Sequence, residues 1–196
     1  MDPATELLRF DQLQPTRWRN DGGWTREIAR GGTGDDWLWR LSLAEVESDG
    51  AFSRFEGVER EIVLLSGAGM TLDFGGGLDV ALDAASPRWH FSGESAVDCR
   101  LHAGPTRDFN LMWRRGLVDA ELWLKEHAGE STQFAAAGET WALHVVAGAG
   151  RLPDAGDADF LPGDTLLMHD DGSRRSHRIV LDGRLIAVRL RTLPPG

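Results

Sequence analysis

Apolar and polar residues alternate in twos along most of this chain, and the 3.6-residue period of an amphipathic helix is hard to find. Trp37 to Val46 reads W-L-W-R-L-S-L-A-E-V, which sets Trp37, Trp39, Leu41 and Leu43 on one face of a half-buried strand. Glu61 to Leu65 is a short apolar run closed by the turn Ser66-Gly67-Ala68-Gly69, and Met70 to Phe74 follows as another strand before Gly75-Gly76-Gly77. Further strands are expected near residues 97–102, 109–114, 118–125, 141–147, 164–169, 176–181 and 184–191. Many short strands separated by Gly-rich turns predict an all-β fold of the sandwich, jelly-roll or barrel kind.

The pattern also echoes itself. Ile62-Val63-Leu64-Leu65-Ser66-Gly67-Ala68-Gly69 returns as Leu143-His144-Val145-Val146-Ala147-Gly148-Ala149-Gly150. In the same register, Arg40 to Glu45 falls on Glu121 to Glu126, and Phe91-Ser92-Gly93-Glu94 resembles Leu161-Pro162-Gly163-Asp164. Three matches in one order point to duplication of a β-unit. A strand, a Gly-x-Gly turn, a strand and then Pro-Gly-Asp resemble the cupin barrel, with Gly163 at a turn position that needs positive φ. The expected architecture is therefore a bicupin, two tandem jelly-roll or cupin β-barrels. Residues 1–115 would form an N-terminal extension plus the first barrel, and 116–196 a second, mainly structural one.

Composition narrows the partners. The 196 residues are 41% hydrophobic and 27% charged, enough to build a core and too apolar for disorder. A formal net charge of −10 argues against nucleic acid, whose phosphates need a basic face. Lys125 is the only lysine among the 21 basic residues, so an arginine carries functional weight here only where its neighbours support it. The single cysteine, Cys99, excludes an internal disulfide and reads as a buried thiol. Met1 to Glu6 has no leader-like basic and apolar pattern, and no run is long enough to span a membrane; the expectation is a cytoplasmic protein. The six histidines (His90, His102, His127, His144, His169 and His177) include no His-x-His pair. Where a first cupin half would present one, the chain reads Gly57-Val58-Glu59-Arg60-Glu61, and arginine cannot ligate a metal. No metal and no cofactor are expected.

The densest chemistry lies in Trp18-Arg19-Asn20-Asp21-Gly22-Gly23-Trp24-Thr25-Arg26-Glu27-Ile28. Asn-Asp-Gly-Gly is a turn signal, and alternation beyond it points Thr25 and Glu27 one way, Arg26 and Ile28 the other. This stretch resembles the HutD/Ves family, as do Trp39-Arg40-Leu41-Ser42, Asp49-Gly50-Ala51-Phe52-Ser53-Arg54-Phe55-Glu56-Gly57-Val58-Glu59-Arg60, Phe91-Ser92-Gly93-Glu94 and Gly104-Pro105-Thr106-Arg107-Asp108-Phe109-Asn110-Leu111-Met112. The blocks cover roughly residues 15–115 in the family's order. Asp21 departs from it, standing where the family usually has glycine. The resemblance implies a bicupin, commonly a homodimer, with a role in regulating histidine utilisation or, for Ves-like members, in stress responses, and no established reaction.

Intermediates of that pathway, such as urocanate, formylglutamate or formate, carry a carboxylate. A receptor for one needs a planar cation, neutral hydrogen-bonding groups and an aromatic wall. Arg26, Arg40 and Arg60 are the candidate cations. Asn20, Thr25, Ser42, Ser53 and Asn110 are the polar contacts, and Trp18, Phe52 and Met112 the wall. Glu27 or Asp108 would orient an arginine or accept an imidazole N–H, or else simply tie the turns together as ion pairs. A non-enzymatic sensor is the leading expectation. The alternatives are a metal-independent enzyme with Glu27 or Asp108 as general base, and a protein-interaction module.

Overall fold

Alternation in twos becomes strand almost everywhere. A computed structural model describes residues 4–34 and 36–194; residues 1–3, the start of the stretch inspected for a leader, lie outside the described residues. The strands begin with β1 (Thr5–Leu8), β2 (Pro15–Arg17), β3 (Gly23–Thr33), β4 (Asp36–Val46), β5 (Gly50–Ala51) and β6 (Val58–Ser66). They continue with β7 (Met70–Asp73), β8 (Asp79–Leu82), β9 (Arg88–Ser92), β10 (Asp98–Leu101) and β11 (Thr106–Arg114). The last are β12 (Val118–Ala135), β13 (Glu139–Leu152), β14 (Ala158–Phe160), β15 (Thr165–Met168) and β16 (Arg175–Thr192). Among the described residues helix is limited to the 3-10 turns Phe10–Gln12 and Pro153–Ala155, so the fold is all-β.

The chain divides into two units, Gln14–Leu117 and a second that joins the segment up to Leu13 with everything from Val118 onward. In the first unit one sheet has the order β2-β3-β4-β11-β6-β9 and the other β5-β10-β7-β8, all of their pairings antiparallel. Val46, Ile62, Leu64 and Phe91 from the larger sheet meet Met70, Leu72, Leu82 and Cys99 from the smaller in one apolar core. That is two sheets packed face to face, each strand supplying every second residue.

The second unit is built on one sheet, β1-β15-β13-β16-β12, with β14 paired to β13. Its β1 runs antiparallel to β15, Thr5 opposite Met168 and Leu8 opposite Thr165. The segment before Leu13 therefore clusters with the C-terminal strands, not with the stretch to 115 with which the sequence grouped it. Residues from both ends of β16, Ile179 and Leu181 with Leu185 and Ala187, share the core with Leu143, Val145, Phe160, Leu166 and Met168. At Gly163 the expected positive φ is present, at 93°, in the turn that returns to Val145.

Two local expectations change. Gly148-Ala149-Gly150, read as a turn, lies inside β13, and the segments expected at 176–181 and 184–191 are one strand, β16. The β-ladder explains both: β13 and β16 stay paired from Glu139 opposite Arg191 to Arg151 opposite Val180, with one irregularity between Val145 and Ala147. A Cβ on Gly148 would lie 2.1 Å from the Asp182 carbonyl oxygen, and one on Gly183 2.0 Å from that of Ala147. These glycines allow close backbone approach at the irregularity instead of ending the strand. The echo has a topological counterpart: β4-β11-β6 in one unit and β12-β16-β13 in the other are each a three-strand ladder of first, last and second strand.

Candidate functional site

The site is laid out by strand register. On β11 the residues Asp108, Asn110 and Met112 share a face. Across the ladder, Met112 sits between Arg40 on β4 and Arg60 on β6, Asn110 between Ser42 and Ile62, and Asp108 between Ala44 and Leu64. Strand β3 extends the same face with Thr25 opposite Ala44 and Glu27 opposite Ser42. Beyond Glu27 the extra residue Ile28 makes a bulge before Ala29 meets Leu41, which ends the regular alternation.

Over this face opens a cavity of about 600 Å³, lined wholly by residues of the Gln14–Leu117 unit. Trp18, Asn20, Thr25, Glu27, Arg40, Ser42, Phe52, Ser53, Arg60, Asn110 and Met112 all line it. Arg26 and Asp108 do not. Arg26 points to the other side of the sheet, where it bridges Glu45 at 2.7 Å, and Glu45 also holds Arg107 at 2.9 Å. Asp108 is one rung deeper, with no exposed surface. The lining adds Thr16, Arg17, Arg19, Ala44, Ala51 and Phe55, which the sequence did not single out. Ala44 was within reach, since it continues the period of Arg40 and Ser42. Phe55 stood in the same block as Phe52 and Arg19 in the same block as Trp18 and Asn20, whereas Thr16 and Arg17 come from β2 and carry no distinguishing signal.

Four arginines line this cavity, Arg17, Arg19, Arg40 and Arg60, and two of them stand on the sheet beneath it, Arg40 on β4 and Arg60 on β6. Arg60 donates through Nε and Nη2 to Oδ1 of Asn110, at 2.9 and 2.7 Å, and its Cζ lies 4.8 Å from the Phe52 ring centroid and 5.4 Å from that of Phe91. Two of its five N–H donors are thereby fixed, the plane is held by the rings, and the rest of the fork is left for a ligand. Burial pushes Arg60 down to about 10 while Asp108 pulls it back up, so it stays charged at neutral pH. Arg40 is lowered as well, by burial first and by Arg30, against the pull of Glu27. Its Nε lies 3.7 Å from Oε2 of Glu27 and, although buried, has no hydrogen-bond partner.

Behind Asn110, Oδ1 of Asp108 accepts its amide N–H, and Oδ2 of Asp108 has no hydrogen-bond partner. Burial pushes this carboxyl up to about 7, against the opposing effects of Arg60 and the Asn110 hydrogen bond.

The wall is made by the turn after β2. Asn20 Oδ1 accepts the Gly22 N–H at 3.1 Å, closing an Asx turn. A Cβ on Gly23 would lie 2.2 Å from the Glu45 carbonyl oxygen and 3.2 Å from the Trp18 ring, so only glycine lets the strand start here. Trp18 donates Nε1–H to Thr25 Oγ1 at 2.8 Å and stands edge-on to Phe52, with centroids 6.4 Å apart. Among the described residues no group of three or more His, Cys, Asp or Glu side chains gathers as a metal site. His144 is buried in the second unit with Nδ1 2.9 Å from Thr165 Oγ1, and burial pushes it down to about 4. Among the described residues no helix is long and apolar enough to cross a membrane.

Fold and site together define a class: an all-β, cupin-like protein with an arginine-bearing interior pocket. The HutD family model matches residues 11–186, and the chain belongs to that family. Over 110 residues it is 44% identical to an uncharacterized 21.2 kDa protein in the hutC 3' region of Pseudomonas putida, a stretch covering 55% of this chain and 57% of that relative. HutD from Pseudomonas fluorescens SBW25 (formate condition) superposes with a TM-score of 0.83 at 30% identity, over 97% of this chain and all of that one. The protein YlbA from E. coli shares the fold, with a TM-score of 0.71 at 13% identity over 98% of this chain and 92% of that one.

Proposed function

We propose that this protein is a non-enzymatic receptor for a small carboxylate of the urocanate, formylglutamate or formate class, acting as a regulator of histidine utilisation. The observation that carries the reading is the Arg60 guanidinium, fixed by Asn110, flanked by Phe52 and facing a cavity that also holds Arg40. A planar fork with free donors beside an aromatic face suits a carboxylate on a small planar body. Membership of the HutD family and the relative in the hutC 3' region support the pathway.

In this reading the protein is a cytoplasmic homodimer with no cofactor. Each chain is a bicupin whose first barrel binds and whose second is mainly structural. Calorimetry with formate, urocanate and formylglutamate tests it. At least one should bind saturably, Arg60→Ala should weaken that binding at least tenfold, and the ligand should be recovered unchanged. Silence with all three would remove the reading, and turnover would make the protein an enzyme, with Glu27 as the carboxylate already in the cavity.

A further inference from the structure

We propose that the pocket takes up as much as one proton with each carboxylate it binds, and that this proton lodges on Oδ2 of Asp108. The proposal rests on the reading above that the cavity receives an anion at Arg60.

A relay of three side chains makes the connection. Asp108 accepts the Asn110 amide N–H, and the Asn110 carbonyl oxygen accepts two N–H groups of Arg60. The amide cannot turn over without setting N–H against guanidinium and oxygen against carboxylate. Asp108 is thus a positioning residue for Arg60, acting through Asn110. It has no exposed surface, and its second oxygen has neither water access nor a hydrogen-bond partner. A bare anionic oxygen is far costlier there than a neutral carboxyl.

The charges around it are few. Arg60 faces it from β6 and is the cation that stabilises its ionised form. From β10 comes the Cys99 thiol, kept protonated because burial, with help from Asp108 and Asp49, pushes it up to about 12. Across the ladder stand apolar Ala44 and Leu64, and Asn110 on its own strand is neutral. Arg40 lies further out, where its charge bears on Arg60. A carboxylate docking on Arg60 brings a second negative charge to the one guanidinium that offsets Asp108. Of the two anions, the buried one, whose Oδ2 lone pairs have no hydrogen-bond donor, is the one that gains a proton. The step balances: anion and proton enter together, the proton coming from buffer, and the net charge of the site is unchanged. Since burial already pushes Asp108 up to about 7, the uptake is inexpensive near neutrality.

Formate is the first probe because its own carboxyl is ionised throughout the range used. Calorimetry at pH 7.5 to 8.5 in phosphate and in Tris, which differ in heat of ionisation, reads the protons taken up per formate bound. Wild type should take up between half and one proton, and its affinity should fall toward tenfold per pH unit above pH 7.5. Asp108→Asn should bind formate with no proton uptake and an affinity flat over that range. Carboxyl-13C NMR of wild type serves where the variant does not fold: the Asp108 signal should titrate at higher pH with saturating formate than without. Binding with no proton uptake, uptake that survives in Asp108→Asn, or an Asp108 signal that formate does not move would each overturn the proposal and leave the receptor reading standing. Silence with formate, urocanate and formylglutamate alike would overturn both.

Discussion

At the scale of single residues, Asp108 gives the chain a specific pH signature even without ligand. Its carboxyl titrates near 7 in the folded protein because burial penalises the charge, against an ordinary value near 4 in the unfolded chain. The folded state therefore binds the extra proton between those limits. The stability this contributes is fully present below about pH 4 and is lost as pH rises through about 7, a swing of roughly 4 kcal/mol by linkage. Asp108→Asn has no such proton, so urea unfolding at pH 4, 6 and 8 should show the variant gaining on wild type by a few kcal/mol across the series. Parallel stability curves would contradict the buried, titrating carboxyl. Cys99 is buried to 1% exposure beside Met70, its thiol pushed up to about 12. It should resist alkylation in the native protein and react only on unfolding.

Asp21, read in the sequence as a departure from the family pattern, follows the same local logic. Its φ is 56°, in the left-handed region that a Cβ disfavours and that Asp tolerates better than most residues. Arg17 bonds its backbone carbonyl as well as its carboxylate, so the backbone contact survives removal of the side chain. Asp21→Gly is expected to leave ligand affinity unchanged, since Asp21 does not line the cavity, and to shift stability upward by a few tenths of a kcal/mol. Denaturant unfolding alongside calorimetry checks both; a loss above about 1 kcal/mol would mean that the carboxylate, not the backbone conformation, matters at this turn.

Elements show how far a linear pattern reaches. Alternation alone places Thr25 with Glu27, Arg40 with Ser42 and Asn110 with Met112, and these pairs all line the cavity. The same alternation sets Arg26 on the opposite face, where it is found on Glu45. What a single strand does not reveal is its offset against its neighbours. Asp108 shares the period of Asn110, and its rung reaches the cavity through Ala44 and Thr25, yet its own side chain is fully buried and does not line it. Local turn chemistry misleads where a partner strand is long. The strands expected at 176–181 and 184–191 leave Asp182-Gly183 between them, but the ladder from β12, with Ala128 and His127 opposite them, carries β16 through without a break. Loop residues such as Phe55 reach the cavity by chain path rather than by period, and no periodic signal exists for them. The turn before β3 is the element on which the wall depends. Gly23→Ala should destabilise the protein by at least 2 kcal/mol and weaken ligand binding, because its Cβ would press on the Glu45 carbonyl and displace the Trp18 ring. A thermal melt and calorimetry on that variant would expose an error if both stayed at wild-type values.

At the scale of the molecule the chain carries a formal net charge of −10 while four arginines line its cavity. An anionic ligand is repelled by the whole and attracted by the site, so affinity must come from short-range contacts that few other places on the chain provide. Binding there stabilises the folded state by mass action, about 2.7 kcal/mol at a ligand concentration one hundred times Kd. For a protein of this size that corresponds to roughly 5–10 °C in Tm. The rise should be larger at pH 6.5 than at pH 8.5 at equal formate concentration, because above neutrality each bound anion must draw its proton from a scarcer supply. Arg60→Ala should abolish the rise at both pH values, while Asp108→Asn should keep it and make it equal at the two. A rise in wild type that ignores pH, with Arg60 still required, would place the anion at Arg60 with Asp108 ionised behind it, and the relay through Asn110 would then be a brace rather than a proton site.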